Sequence, residues 1–216
     1  MCHGEGLDEK IDVKRQAVFL EKYKPDIIFL QEIDMYTRRA YFKNQIYTFS
    51  KYARLPYRSM GTSIKYNEGF YGAGIISRFP IEYSANFLSP LIYKDSEQRG
   101  HLCAKVIVGT TKLNLFSVHL STYEAERILS CQELLSIANN IPKDEKIIIG
   151  GDFNVGITKE GNHLYAYDKQ DIYEEYSILE QKFNKIQNTD NTWFAKDKKR
   201  MPRYHVLFQK LRTCKL

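Results

Sequence analysis

Apolar and polar positions recur along this chain on two different periods. Residues 8–23, DEKIDVKRQAVFLEKY, set Ile11, Ala17, Val18 and Leu20 near helical spacing, with acids early and Pro25 just beyond, and this predicts a helix. PDIIFLQE follows as a short apolar run that starts at Pro25 and ends in polar residues, the pattern of a strand buried on both faces. Residues 41–54 carry an aromatic-rich helical pattern. Strand-like segments come next at 72–79, 81–89, 101–109 and 112–120, with Gly109-Thr110-Thr111 joining the last two as a hairpin. Thr122 is placed to cap a helix running to about Asn139, with Ile128, Leu129, Leu134, Leu135 and Ile137 on its apolar side. KIIIGGD at 146–152 is another buried strand, broken at its paired glycines, and a last helix is predicted over 172–183.

Helices interleaved with strands, plus a central antiparallel pair, predict α/β layers rather than a purely parallel sheet. No repeat or linker divides residues 1–194, which read as one domain. With 43% hydrophobic and 27% charged residues among 216, the chain is too apolar to be disordered and large enough to bury a core without staples. Its longest apolar runs fall far short of the ~20 residues of a membrane span. Cys2, Cys103, Cys131 and Cys214 are widely spaced with no CxxC pair, which predicts reduced thiols and, with no leader pattern, a cytoplasmic monomer. The net charge of +6 is unevenly distributed. Residues 195–216 hold eight basic side chains and one acid, and are expected to form a solvated basic tail; the rest is close to neutral and lacks the footprint of a long-duplex binder.

Three polar groups end apolar strands: Glu32 after IIFLQ, His119 after LFSV and Asp152 after IIIGG. Strand ends are where α/β sheets collect chemistry, and strands lying side by side would bring the three to one rim. Alone, Glu32 reads as a turn former and GDFN (151–154) as an Asx turn. Together and in this order, Gln31-Glu32, Val118-His119-Leu120 and Gly151-Asp152-Phe153-Asn154 resemble the endonuclease/exonuclease/phosphatase superfamily. His3-Gly4-Glu5-Gly6, Pro25 to Asp34, Tyr71 to Ile81, Gln98-Arg99-Gly100 and Glu126-Arg127 agree with it, so the likeness runs from residue 1 to about Trp193.

The resemblance implies a two-layer β-sandwich flanked by helices, as in deoxyribonuclease I, and a divalent-metal-dependent phosphoesterase of the nuclease or phosphatase type. Glu32 is then the ligand of Mg²⁺ or Mn²⁺, hard cations that prefer carboxylate and water. Asp152 orients or deprotonates the attacking water, Asn154 binds phosphoryl oxygens, and His119 contacts the scissile phosphate or assists the leaving group. Tyr71 supports phosphate or metal, Arg99 clamps a phosphate oxygen, and Asp34 stands behind them. His101, His163 and Asp95 match nothing in the family. The implied partner is a phosphate ester: nucleic acid, a phospholipid headgroup or a small phosphate.

Three family elements are not found. An Asn normally precedes the stretch matching Met1-Cys2-His3-Gly4, and Arg-Ile-Asp-Tyr-Ile-Phe and Ser-Asp-His should follow Trp193. Arg203 to Phe208 can be laid over the first of these with His205 in the Asp position, or Lys199-Arg200-Met201 can match its beginning. The resemblance therefore implies a sandwich incomplete at both ends, with Met1 inside the first strand and a sheet edge unpaired, as in a truncated gene product. The alternative function is an inactive homologue with at most a binding role.

Overall fold

The computed structural model describes residues 2–6, 8–155, 157–160, 163–166, 174–187, 193–194, 200–201 and 205–210. Cys2–Gly4 is a single 3-10 turn rather than the strand interior expected at this end. Helix α1 (Val13–Glu21) starts later than the spacing suggests, because the Asp12 carboxylate accepts from the Arg15 N–H at 2.9 Å and fixes the first turn there. Strand β1 (Ile27–Met35) is followed by α2 (Gln45–Ala53), whose start Asn44 caps through the Tyr47 N–H. Strands β2 (Tyr57–Tyr66), β3 (Gly69–Ser77), β4 (Ile81–Leu88), β5 (Gly100–Val108) and β6 (Thr111–His119) come next, with Gly109 at φ +60 in the tight β5–β6 turn.

Helix α3 (Glu124–Asn139) is not capped by Thr122. No side chain caps it: Tyr123 is the N-cap residue, and Ser121 Oγ accepts from the Tyr123 N–H at 3.1 Å in the turn just before the helix. Cys131, Leu134 and Ala138 are buried on its inner face with Ile128, Leu135 and Ile137 packed beside them, and of the predicted apolar side only Leu129 is exposed. Strand β7 (Lys146–Asp152) runs on through both glycines. Gly151 has φ +142, and a Cβ there would meet the Val118 carbonyl oxygen at 2.1 Å, so the strand needs the glycine to continue rather than to stop. Beyond it lie β8 (Ile157–Glu160) paired with β9 (His163–Ala166), α4 (Glu174–Glu180), β10 (Asn184–Gln187), β11 (Trp193–Phe194) paired with β12 (Arg200–Met201), and β13 (His205–Lys210).

Two sheets carry the fold, ordered β1-β3-β2 and β10-β13-β7-β6-β5-β4. In the larger one β6 and β7 run parallel, joined through α3, and the other pairings are antiparallel. Strand alternation sorts the apolar residues into three cores. Ala73, Ile75, Leu102, Ala104, Val106 and Leu115 fill the space between the sheets. Ile28, Leu30, Ile33 and Ile76 meet α1 and α2 on the outer face of the small sheet, and Phe116, Val118, Ile147 and Ile149 meet α3 and α4 on that of the large one. The result is the two-layer sandwich with flanking helices that the resemblance implies.

Beside β7 the large sheet continues through β13 and then β10. Part of the stretch expected to form a solvated tail is therefore a sheet strand. A charge count does not register that His205-Val206-Leu207-Phe208 has the β-branched and aromatic make-up of one. Cys2, Cys103 and Cys131 are free thiols, and among the described residues no helix is long and apolar enough to cross a membrane.

Candidate active site

Strand period decides which polar side chains reach the space between the sheets. On β6, Leu113 and Leu115 belong to the inter-sheet core, so Ser117 and His119 follow on the same face; on β7, Ile148 leads in the same way to Asp152. Ala73 and Ile75 on β3 put Tyr71 there from the opposite side. Where the strands end, the apolar filling gives way to these polar groups. Ladder register aligns Gly100, His119, Asp152 and His205 across β5, β6, β7 and β13.

His119 is buried, with Nδ1 3.0 Å from Arg99 Nη1 and Nε2 4.0 Å from Asp152 Oδ2. An arginine only donates, so Nδ1 accepts and the neutral ring carries its proton on Nε2, toward Asp152. Burial, reinforced by the Arg99 charge, pulls the His119 pKa down to about 4 against the opposing pull of Asp152 and Glu32. The imidazole is therefore neutral at pH 7. Arg99 also reaches the Tyr71 hydroxyl at 3.5 Å and pairs with Glu97 at 2.8 Å, so it is already shared among three side chains. Burial, and then the Glu32 charge, push the Tyr71 hydroxyl above the ordinary phenol range.

The GDFN turn is tied to the end of β6. Asp152 Oδ1 accepts from the Asn154 N–H at 2.9 Å, the expected Asx turn. Asn154 has φ 48, and its amide Nδ2 donates to the Leu120 carbonyl at 2.8 Å, while the Leu120 N–H donates to the Asp152 carbonyl. The turn thus has a structural duty in addition to any chemical one.

Glu32 lies inside β1, not at its end. The β1–β3 register shifts between Leu30 and Ile33, and Glu32 takes the left-handed φ of 59. Ile28, Leu30 and Ile33 all face the helices, so the bulge absorbs one residue and keeps the Glu32 carboxylate off an apolar face where an unpaired charge is costly. Its neighbour Gln31 donates to Ser117 Oγ at 3.1 Å, linking the two sheets beneath the site. Glu32 is half-buried, and among the described residues no hydrogen bond or ion pair engages it. Its charge nevertheless acts on Cys2, His3, Tyr71 and His119. A carboxylate with free oxygens beside other polar groups is a donor set that suits a hard divalent cation.

Asp34, two residues on, differs in every respect. It is fully buried and accepts from Thr37 Oγ1 and from Arg39 Nε and Nη2 at 2.6–2.8 Å. Arg39 in turn stacks over the rings of Tyr66 and Tyr71, at 4.3 and 5.3 Å from their centroids. Sequence reasoning missed Arg39, because nothing in Thr37-Arg38-Arg39-Ala40 separates one surface arginine from the other. Glu126 likewise accepts from the Ile92 and Tyr93 N–H groups, Ser96 and Ser121, so it anchors the β4–β5 loop. Arg127 is paired with buried Glu175 at 2.6 Å. Outside the site, His101 faces Glu133 and Asp95 accepts from the Tyr123 hydroxyl; the His163 side chain lies outside the described residues.

A family model, the Endonuclease/Exonuclease/phosphatase family, matches residues 5–198. The chain is 31% identical over 96 residues to the uncharacterized protein YbhP of Escherichia coli K12, a match spanning 44% of this chain and 37% of that protein. An endonuclease/exonuclease/phosphatase structure from Beutenbergia cavernae superposes with TM-score 0.64 at 13% identity, covering 93% of this chain and 59% of that one. Staphylococcus aureus beta toxin gives 0.64 at 16% identity, covering 91% and 78%. Sphingomyelinase C from Streptomyces griseocarneus gives 0.62 at 14% identity, covering 92% and 75%.

Proposed function

The chain belongs to the endonuclease/exonuclease/phosphatase family, and from that membership and the rim we propose a Mg²⁺- or Mn²⁺-dependent phosphoesterase that hydrolyses a phosphodiester or phosphomonoester. The observation that carries the reading is the unengaged Glu32 carboxylate, whose charge acts on His119 in the aligned pair His119 and Asp152. Glu32 would hold the cation, which when bound polarises a phosphoryl oxygen. Asp152 orients the attacking water and takes its proton. Neutral His119 presents its Nε2–H on the same side, where it donates a hydrogen bond to a phosphoryl or leaving-group oxygen while keeping its proton. Arg99 supplies fixed positive charge through the guanidinium it shares with His119 and Tyr71. Asn154, with one amide N–H given to Leu120, keeps its second for the phosphate.

Phosphodiesters other than long duplex DNA fit best, because residues 1–194 are close to neutral. The resemblance to sphingomyelinase C brings a phospholipid headgroup into the same substrate class. A second reading, a homologue that only binds, is favoured by one observation: Asp152 and Asn154 are both engaged in hydrogen bonds that hold the turn. Hydrolysis of bis-p-nitrophenyl phosphate with Mn²⁺ decides between them. Turnover that disappears in Asp152→Asn supports the enzyme, and no turnover above the metal-only background supports the binding protein.

A further inference from the structure

The turn that opens the chain gathers three donors of different softness. Cys2 Sγ, a His3 ring nitrogen and a Glu5 carboxylate oxygen all lie within 4.8 Å of one another, and His3 Nε2 is 3.2 Å from Glu5 Oε2. Ligands around tetrahedral zinc, at about 2.0–2.3 Å from the ion, stand roughly 3.3–3.8 Å apart, so about 1 Å of closure would bring these three together.

The backbone holding them is pinned on every side. The His3 carbonyl accepts from Gln45 Nε2 at 2.7 Å, the Gly4 carbonyl from the Asp12 N–H at 2.9 Å, and the Cys2 carbonyl from the Glu5 N–H at 2.7 Å. Gly4, at φ +88, lies so close to α1 that a Cβ would meet Val13 Cγ2 at 2.6 Å. Cys2 and His3 also take positive φ, which turns the donors to one side. Such a frame leaves little ordering to be done on binding.

We propose that Cys2, His3 and Glu5 form a second metal site, distinct from the Glu32 site, that takes a thiophilic divalent cation such as Zn²⁺. The donor set separates the two. Thiolate, imidazole and carboxylate select zinc, whereas an isolated carboxylate with water selects magnesium or manganese. Three protein ligands leave a fourth position open to water or an anion. Metal binding releases the Cys2 thiol proton to solvent as the S–metal bond forms, so affinity rises with pH.

Titration of the full chain with Co²⁺ and then Zn²⁺ tests this independently of catalysis. Wild type and Glu32→Gln should both show a thiolate-to-cobalt charge-transfer band that saturates at one equivalent and is displaced by zinc. Cys2→Ser should lose the band, and His3→Asn, chosen because Asn tolerates positive φ, should bind at least about tenfold more weakly. Calorimetry in two buffers of different ionisation enthalpy should give about one proton released per zinc. A wild type with no charge-transfer band, or zinc affinity unchanged by Cys2→Ser and His3→Asn, would overturn the proposal. Loss of zinc binding only in Glu32→Gln would overturn it too, since there would then be one site. Thermal melts without metal establish that each variant is folded.

Discussion

The two sheets bring different kinds of polar group to the rim. The large sheet contributes side chains already tied into the protein: His119 to Arg99, Asp152 to the Asn154 backbone, Asn154 to Leu120. The small sheet contributes both extremes within three residues. Asp34 has its oxygens filled by Thr37 and Arg39, while Glu32 on the bulge has none filled by a described residue. Satisfaction, more than residue type, separates a carboxylate that supports the fold from one left free for a ligand. Asp34 is the first kind and Glu32 the second.

The strongest way to break this contrast is at the large sheet. Asp152→Asn should retain the turn, since an amide oxygen can still accept from the Asn154 N–H, yet lower kcat by roughly 10²–10⁴-fold in the phosphodiester assay. A loss of stability with activity proportional to the folded fraction would show Asp152 to be merely structural. On the small sheet the expectation is reversed. Arg39→Ala strands a buried carboxylate and should cost about 3 kcal/mol in urea unfolding, and the double variant Arg39→Ala/Asp34→Asn should recover part of it.

Glu32→Gln should leave the urea midpoint nearly unchanged, because no described group loses a partner. It should raise the Mn²⁺ concentration needed for half-maximal activity by at least the 10–100-fold typical of losing an outer-shell partner of a metal. An unchanged metal requirement would remove Glu32 as ligand.

The pH dependence of stability sharpens the contrast further. His119 has a folded pKa of about 4 against 6.5 for the free side chain, so the unfolded chain takes up its proton first. Its contribution is complete above about pH 6.5 and is lost as the pH falls toward 4. Denaturant titrations across that window should give a slope of up to one proton, which His119→Gln removes. The smallest effect is expected at Asn154. Asn154→Gly keeps the left-handed turn but deletes the bond to the Leu120 carbonyl, and should cost about 1 kcal/mol.

Much of the fold was legible in the chain. Apolar runs such as IIFL, LNLFSV and KIII mark strands because a buried strand tolerates little else, and GDFN reads as a turn because Asp and Asn bond their own backbone. Strand β2 was missed: YRSMGTSIKY is exposed at both ends and mostly half-buried between them, with no alternation to detect. The cap at Asp12 was missed because several acids precede the helix and only packing selects one.

For the site, the ends of apolar runs and an Asx turn singled out Glu32, His119, Asp152 and GDFN, whereas Tyr71, Arg99 and the role of Asn154 came from the family resemblance. What those groups are to one another was decided only in three dimensions. The Glu32 bulge depends on pairing with β3, the neutrality of His119 on burial beside Arg99, and the alignment of His205 with Asp152 on a strand register that no local pattern specifies. Arg39 became part of the site because a chain reversal returned it to Asp34, and Cys2, His3 and Glu5 converged because hydrogen bonds to Gln45 and Asp12 hold the turn. Local sequence sets backbone preference and side-chain chemistry, whereas burial, electric field and partner distance depend on segments far apart in the chain, and these determine which carboxylates remain unpaired.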